Sequence, residues 1–267
     1  VEIKRQPGSA EDRVALDVIV EEQSTGELSF GAGYSTSEGV IGDISIAERN
    51  LFGNGQFLRL KLSGSIERYQ IDLSFTEPRF LDQNLAAGFD IFHKNVNQTD
   101  EGGFASQKTG GVLRLAFPLA EDLWMQTYYS IDQTSLYDVN ESSVSKFVIE
   151  EINLRGDTTL TSLVGTSLSY DKRNHPKNPS SGYFVSLGSD FAGLGGDVQY
   201  ARLSAEGRAY YPVTEKITLV GRVIGGTISG WGDDDVRLSD LYYRGGETIR
   251  GFKRGGFGPR DLLTDDA

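Results

Sequence analysis

The 267-residue sequence contains no cysteine, one methionine and two histidines, and its formal net charge is −12. The absence of cysteine excludes disulfides, cysteine-based zinc sites and thiol catalysis. The negative charge argues against nucleic acid as a partner. No apolar run approaches the roughly 18 residues that mark a membrane-spanning helix. No metal site and no cofactor are predicted, and stability is expected to come from β-sheet.

Apolar and polar residues alternate through most of the chain, which is the pattern of strands with two different faces. Within residues 199–211, for example, Leu203 and Ala205 fall on one face while Ser204 and Glu206 fall on the other. The pattern predicts eleven strands, at 25–34, 39–50, 55–66, 69–78, 84–97, 104–117, 122–136, 160–173, 182–192, 197–211 and 216–230. Several reach about ten residues or more, as a tilted strand needs to cross a bilayer.

The predicted fold class is an all-β transmembrane antiparallel barrel. A mean hydropathy of −0.32 and a charged fraction of 24% agree with this fold, because only alternate residues of a barrel strand contact lipid. The predicted connections alternate between mostly tight turns and a set that includes longer loops. Since outer-membrane barrels have short periplasmic turns, the side with the longer loops is expected to face outside.

Two segments depart from the series of long strands. Residues 1–22 are predicted to form a short hairpin, with strands over 1–5 and 14–20. Between residues 137 and 159, Val144, Phe147, Val148 and Ile152 recur at helical spacing after two serines, which predicts one short amphipathic helix over an outer rim.

The stretch 240–260 is rich in glycine and arginine, and it carries a specific resemblance. It contains Gly245, Gly246, Ile249, Arg250, Gly251, Phe252, Gly258 and Pro259 in the run GGETIRGF followed by GP. This run resembles the Gly-Gly and Val-Arg-Gly-Phe signature of the BamA family of outer-membrane β-barrel assembly factors and its relatives in two-partner secretion. The run YDKR at 170–173, followed by Pro179 and Gly182, is similar to a turn that precedes a strand in that family.

The resemblance implies an architecture. The family barrel has sixteen strands, so residues 23–267 are expected to supply strands one to eleven, and 231–267 a long loop that folds into the lumen. Residues 1–22 are expected to be the end of the last periplasmic POTRA repeat. The resemblance also implies that Arg250 pairs with acidic groups on the inner wall, where its planar guanidinium suits carboxylates.

The implied function is the folding and insertion of β-barrel proteins into the bacterial outer membrane through a lateral seam at the first strand. That strand carries Gly26, Leu28, Phe30, Gly31, Gly33 and Tyr34. Its glycines and small polar residues predict weak pairing with a closing strand, so that an incoming protein could pair with its edge. The implied partners are the outer-membrane bilayer, unfolded outer-membrane proteins and accessory assembly lipoproteins. A secretion pore of the same superfamily and a passive porin are the alternatives.

Enzymatic and nucleic-acid functions are disfavoured by the residues available. His93 and His175 have no ligand spacing between them, and the acidic run 233–235 lacks the pattern of a calcium loop. The Gly31-Ala32-Gly33 run lacks the helix that a phosphate-binding loop requires. The two Arg-Gly-Gly runs, at 244–246 and 254–256, resemble RNA-binding segments but lie in an acidic chain. The protein is therefore not expected to be an enzyme.

Overall fold

The computed structural model describes residues 2–7, 13–19, 24–35, 38–232, 235–237, 240–242, 245, 249 and 251–252. Two antiparallel sheets are present in these residues. The smaller sheet is a hairpin of β1 (Glu2–Pro7) and β2 (Val14–Ile19). The predicted N-terminal hairpin is confirmed in these two strands, while most of its turn, at 8–12, and residues 20–22 lie outside the described part.

The larger sheet contains eleven strands, and each strand pairs only with its neighbours in sequence. They are β3 (Gly26–Ser35), β4 (Gly39–Leu51), β5 (Gln56–Gly64), β6 (Arg68–Glu77), β7 (Ala86–Gln98), β8 (Phe104–Ala120), β9 (Leu123–Tyr137), β10 (Thr158–Asp171), β11 (Gly182–Ala192), β12 (Tyr200–Thr214) and β13 (Ile217–Gly230). Every end lies within three residues of its predicted position. The predicted all-β, antiparallel fold is confirmed.

The register of the strands gives the sheet two chemically different faces. One row of directly opposed residues runs through Leu28, Ile46, Leu60, Leu73 and Ile91. Following the same parity through the sheet defines the apolar face, on which the only Asp, Glu, Lys or Arg residues of the eleven strands are Glu48 and Glu77, both near strand ends. The opposite parity defines the polar face, which carries the remaining charged strand residues.

Crowding around the glycines indicates that the polar face is concave. A Cβ added at Gly165 would overlap the ring of Tyr128, and one added at Gly88 would overlap a backbone oxygen and approach the guanidinium of Arg114. On the apolar face, by contrast, a Cβ at Gly207 or Gly221 would meet nothing within 4 Å. Side chains therefore converge on the polar side of the sheet, as they do inside a curved wall.

The connections differ at the two ends of the sheet. At the short-turn end, two residues join β8 to β9 and two join β12 to β13. At the long-loop end lie α1 (Thr99–Gly102), α2 (Lys146–Arg155) and the stretch after β13. No helix among the described residues is long and apolar enough to cross a membrane.

The predicted helix is confirmed as α2, but it starts later than Ser142 and Ser143. Ser145 is the N-cap, and its hydroxyl accepts a hydrogen bond from the backbone N–H of Phe147 at 3.4 Å. Val144 and Val148 are buried, whereas Phe147 is half exposed. The four predicted apolar positions therefore divide between a buried pair and a more exposed remainder.

Candidate functional site

The stretch after β13 returns to the polar face of the sheet. Its described residues 235–237 and 240–242 are named the docked segment. Arg237 is the most buried residue of this segment, with 4% of its surface exposed. Its Nη1 donates to the hydroxyl of Thr159, and its Nη2 donates to that of Thr161 at 3.0 Å. Both threonines lie on the polar side of β10, so one guanidinium joins the docked segment to the wall.

The same guanidinium also organises the segment itself. Arg237 Nε donates to Oδ2 of Asp240 at 2.7 Å, an ion pair across one turn of the backbone. Five N–H groups in a rigid plane allow one arginine to satisfy three acceptors at once. In this way the charge of Arg237 is paired and hydrogen-bonded where it is buried, which is the condition under which a buried charge is tolerated.

A second arginine reaches the docked segment from the wall. Arg202 of β12 donates from Nη2 to the backbone oxygen of Asp240 at 2.8 Å. Its guanidinium lies 5.0 Å from the ring centroid of Tyr200 and 5.8 Å from that of Tyr242. The hydroxyl of Tyr242 donates to the backbone oxygen of Leu203 at 3.0 Å. The wall and the segment thus hold each other through both charge and aromatic contacts.

A small apolar cluster lies beneath the segment. Leu163, Ala192, Val198 and Tyr200 are buried together, and Val236 of the docked segment packs against them. At the rim, Arg155 of α2 donates to the backbone oxygens of Asp197 and Asp235, each at 3.1 Å. The outer helix, the neighbouring loop and the start of the docked segment are therefore joined at one point.

The glycine and arginine signature continues from the docked segment. Gly245 and Gly251 adopt φ of +130° and +93°, a region that disfavours residues with a side chain. The backbone N–H of Phe252 donates to the carbonyl of Ile249 at 3.4 Å, closing a tight turn. Gly246, Arg250, Gly258 and Pro259 lie outside the described residues, so the predicted pairing of Arg250 stays a prediction.

Arg237 was not among the residues singled out from the sequence. The only local signal was an acidic residue three positions later, at Asp240. The threonines that accept from Arg237 precede it by 78 and 76 residues. Alternation within the predicted strand 160–173 places Thr161 on the polar face, whereas Thr159 falls in the predicted loop before that strand. The pattern does not indicate which segment covers them.

The predicted gate strand is β3, one of the two edges of the sheet. It pairs with β4 over its full length, from Gly26 to Ser35, and no described strand pairs with its other side. Leu28, Phe30 and Tyr34 lie on the apolar face, and Gly31 and Gly33 on the polar face. Phe30 is 72% exposed, whereas Ile44, opposite it and flanked on both sides, is 45% exposed. The edge is thus apolar on one face, and β4 is its only partner among the described strands.

The polar side of β3 carries few large groups. Glu27 pairs with Arg49 at 2.9 Å and accepts from the hydroxyl of Ser29 at 3.1 Å, with both charges exposed to solvent. Asp43 of β4 lies over Gly31, where an added Cβ would overlap its carboxylate. Exposed ion pairs of this kind contribute little to stability. The described contacts of β3 are therefore mainly those that it makes with β4, its partner in the hairpin.

The turn after β10 is held by the YDKR run. The carboxylate of Asp171 receives Arg173 Nε at 2.8 Å and Nη2 at 2.6 Å, while Arg173 Nη1 donates to the backbone oxygen of Pro176 at 3.2 Å. Lys172 forms an ion pair with Asp122, and this hydrogen bond raises the pKa of the lysine. Gly182 has φ of +96°, and a Cβ there would overlap the carbonyl of Lys172. The predicted turn between β10 and β11 is therefore present, and its own side chains hold it in place.

The two histidines occupy separate places. His93 Nδ1 lies 2.7 Å from the hydroxyl of Thr109, and its Nε2 lies 3.4 Å from that of Tyr69. His175 Nδ1 accepts two backbone N–H groups of its own turn, from Lys177 and Asn178. Among the described residues, no three His, Asp or Glu side chains gather where they could hold a metal ion. Residues 233–234 of the acidic run lie beyond that description.

A long antiparallel meander with one nearly uncharged apolar face and one charged concave face is the wall of an outer-membrane type of β-barrel. Comparison with known proteins gives the family. Residues 50–267 match the Omp85 superfamily domain. The chain belongs to the Omp85 superfamily.

Individual relatives agree with this assignment. The chain is 32% identical over 271 residues to the outer membrane protein assembly factor BamA of Nitratidesulfovibrio vulgaris, covering 100% of this chain and 33% of that protein. It is 30% identical over 253 residues to BamA of Neorickettsia risticii, covering 94% and 33%. The crystal structure of BamA from Haemophilus ducreyi lacking POTRA domains 1–3 has the same fold, with a TM-score of 0.79 and 21% identity over 97% of this chain and 52% of that one. The chain thus spans about one third of the length of these curated relatives.

Proposed function

We propose that this chain is the barrel part of an outer-membrane protein assembly factor, which folds β-barrel proteins and inserts them into the bacterial outer membrane at the edge of β3. The sheet lies in the outer membrane, with its apolar face against lipid and its short-turn end toward the periplasm. The names of the curated relatives, outer membrane protein assembly factors, support this assignment.

The observation that supports the mechanism is the position of β3 at an edge of the sheet, where β4 is its only partner among the described strands. The other side of β3 is the side on which a closing strand or an incoming strand would pair, and pairing of an incoming strand is the general mode of strand addition. In hydrocarbon an unpaired backbone group costs several kcal/mol, so an incoming strand gains stability when it pairs. The apolar side chains of Leu28, Phe30 and Tyr34 match the lipid-facing side chains of such a strand. Pairing and apolar burial supply the free energy without a nucleotide or a catalytic residue.

The hairpin of β1 and β2 is proposed to belong to a periplasmic domain, the end of a POTRA repeat. Within the described part of the chain it forms a sheet of its own and shares no strand pairing with the barrel wall. Ile3, Val14, Leu16 and Val18 are all exposed on it. Contiguous exposed apolar side chains mark a surface that other parts of a domain cover. Residues 231–267 are proposed to form the loop in the lumen, which the docked segment begins.

The proposal is tested by trapping a substrate on β3. Ser29 lies at the centre of the open edge, and the sequence has no cysteine to interfere. We expect Ser29→Cys, in the full-length protein, to form a disulfide with a cysteine placed in the terminal strand of a stalled outer-membrane protein. Nonreducing electrophoresis detects the adduct. Accessory assembly lipoproteins are proposed partners, and they should co-purify with the trapped complex.

Ser45→Cys is the matched control. Ser45 lies directly opposite Ser29 on β4, on the same polar face and equally half-buried, but β4 has a partner strand on each side. It should give little or no adduct. Equal trapping at both positions, or none at Ser29, would contradict strand addition at this edge.

The two alternatives rank lower. A secretion pore or a passive porin would use the lumen as a path, whereas the docked segment covers part of the polar face next to the long-loop end. Purified full-length protein in planar bilayers is expected to give small, unsteady conductance. A large and steady conductance would favour a porin.

A further inference from the structure

We propose that Arg237 is a positioning residue that fixes the docked segment to the inner wall, and that it does so independently of the signature residue Arg250. This inference goes beyond the assembly function, because it concerns how the loop is held rather than what the barrel does. Its test reads the position of the segment and not the assembly of substrates.

The first argument is the number of partners that depend on one side chain. Arg237 uses Nε for Asp240 and its two terminal nitrogens for Thr159 and Thr161. One side chain therefore joins the two described parts of the segment to each other and to β10. A lysine presents one nitrogen and cannot occupy all three acceptor positions in this planar arrangement.

The second argument is burial. Arg237 is 4% exposed, and the side chain of Asp240 is 12% exposed. A buried carboxylate that loses its hydrogen-bonded cationic partner is destabilised, because its charge is then less well compensated. Without Arg237, the carboxylate of Asp240 would keep the longer ion pair to Arg202, whose Nη2 is 4.0 Å away. The segment is then expected to move toward solvent, where the carboxylate is hydrated.

The third argument is that the described contacts of the docked segment are made by residues outside the signature. Val236 packs on the apolar cluster, Arg202 donates to the backbone of Asp240, and Tyr242 donates to Leu203. All of these groups lie N-terminal to Gly245. The docked segment therefore has its own set of contacts, which precede the signature in the sequence.

The experiment uses a buried reporter in the full-length protein. Val198 is 2% exposed and lies in the cluster against which Val236 packs, so Val198→Cys is expected to react slowly with a maleimide reagent. With Arg237→Ala added, we expect labelling about tenfold faster or more, since hydrogen bonds to a charged group contribute about 1.5–3 kcal/mol and about 1.4 kcal/mol is a factor of ten. Arg237→Lys should also label faster than the parent.

Arg222→Ala is the matched control, because Arg222 is on the same polar face but its side chain is 53% exposed and pairs with Glu206. It should label at the parent rate, and so should Arg250→Ala. Heat-modifiable electrophoretic migration checks that each barrel is folded. Should Arg237→Ala fail to fold, Thr161→Val removes one acceptor at similar volume and should accelerate labelling to a smaller degree.

Two results would overturn the inference. One is a folded Arg237→Ala variant in which Val198→Cys is labelled at the same rate as in the parent protein. The same result in Thr161→Val would count where that variant replaces Arg237→Ala. The other is an equal increase in the labelling rate of Val198→Cys when Arg250→Ala is added in place of Arg237→Ala. The position of the docked segment would then depend on the signature. Neither result bears on trapping at β3, so this inference and the proposed assembly function can fail separately.

Discussion

At Gly165 the wall leaves no room for a side chain, because the ring of Tyr128 crosses from β9 over β10 and donates from its hydroxyl to Asp190 on β11. Gly88 lies in the same way under Arg114, which donates to the backbone oxygen of Phe75 at 3.1 Å. In both cases a glycine allows a long polar side chain to join two strands that are not neighbours. The absence of a side chain at these two positions therefore allows contacts across the concave face of the wall.

Gly165→Val is expected to destabilise the folded barrel by about 1–3 kcal/mol, the usual cost of forcing extra volume into a packed site. The valine would displace Tyr128 and break its hydrogen bond to Asp190. Urea unfolding of the full-length protein in lipid vesicles measures the change. Gly207→Val is the control, since nothing lies within 4 Å of a Cβ there. A similar loss at both positions would show that β-strand conformation, and not crowding, sets the cost.

Prediction from sequence reached these residues unevenly. The faces of Thr161 and Arg202 follow from alternation alone, because a strand has a period of two, whereas Thr159 falls in the predicted loop before the strand. That Arg237 meets Thr159 does not follow, because the contact depends on how a long connection folds back. Gly245 and Gly251 were named in the sequence as part of the signature, and both adopt positive φ.

Among the elements, the strands were the easiest to predict, since alternation ends where proline, glycine or asparagine clusters begin. The helix start was harder. Ser142 and Ser143 look like caps, but they are used in a preceding turn, where the Ser142 N–H and hydroxyl donate to the side chain of Asn140 and the Ser143 N–H to its backbone oxygen. Ser145 then caps α2. With three candidate N-cap serines close together, the sequence alone does not indicate at which of them the helix starts.

The turn between β10 and β11 is an element with its own stabilising residue. Arg173→Ala removes the bidentate pair with Asp171, the bond to Pro176 and the contact of its guanidinium with the ring of Phe184 at 5.0 Å. We expect a loss of about 1–3 kcal/mol in unfolding free energy, as for hydrogen bonds to charged groups. Protease sensitivity of residues 172–181 should rise in parallel. Lys177→Ala, in the same turn and exposed, should change neither measurement.

At the scale of the whole molecule, the two faces of the sheet decide where the protein resides. If the apolar face contacts hydrocarbon, an arginine there is costly by about 2–4 kcal/mol near the bilayer midplane. Leu187, on the apolar side of β11, should therefore not tolerate Leu187→Arg. Ser186 lies next to it on the polar side and opposite Glu206, so Ser186→Arg should be accepted.

Folding of both variants into vesicles, followed by heat-modifiable migration, measures this difference. Equal yields would show that the apolar face does not contact lipid, and the proposed membrane orientation would then be withdrawn. The sequence predicted the two faces in full. The resemblance implied that residues 231–267 fold into the lumen, but nothing in the sequence indicated that Arg237 docks onto Thr159 and Thr161, because that depends on contacts between distant parts of the chain.

Since each of the eleven strands pairs through its backbone only with its neighbours in sequence, the wall can grow by adding one hairpin at a time, with little entropy lost to closing long loops. The hydrogen bond between Arg237 and Thr159 of β10 joins residues 78 positions apart and cannot form by the addition of neighbouring hairpins. It should therefore be made late, after β10 to β13 have assembled. A loop that docks last reports that the strands before it have been completed in order.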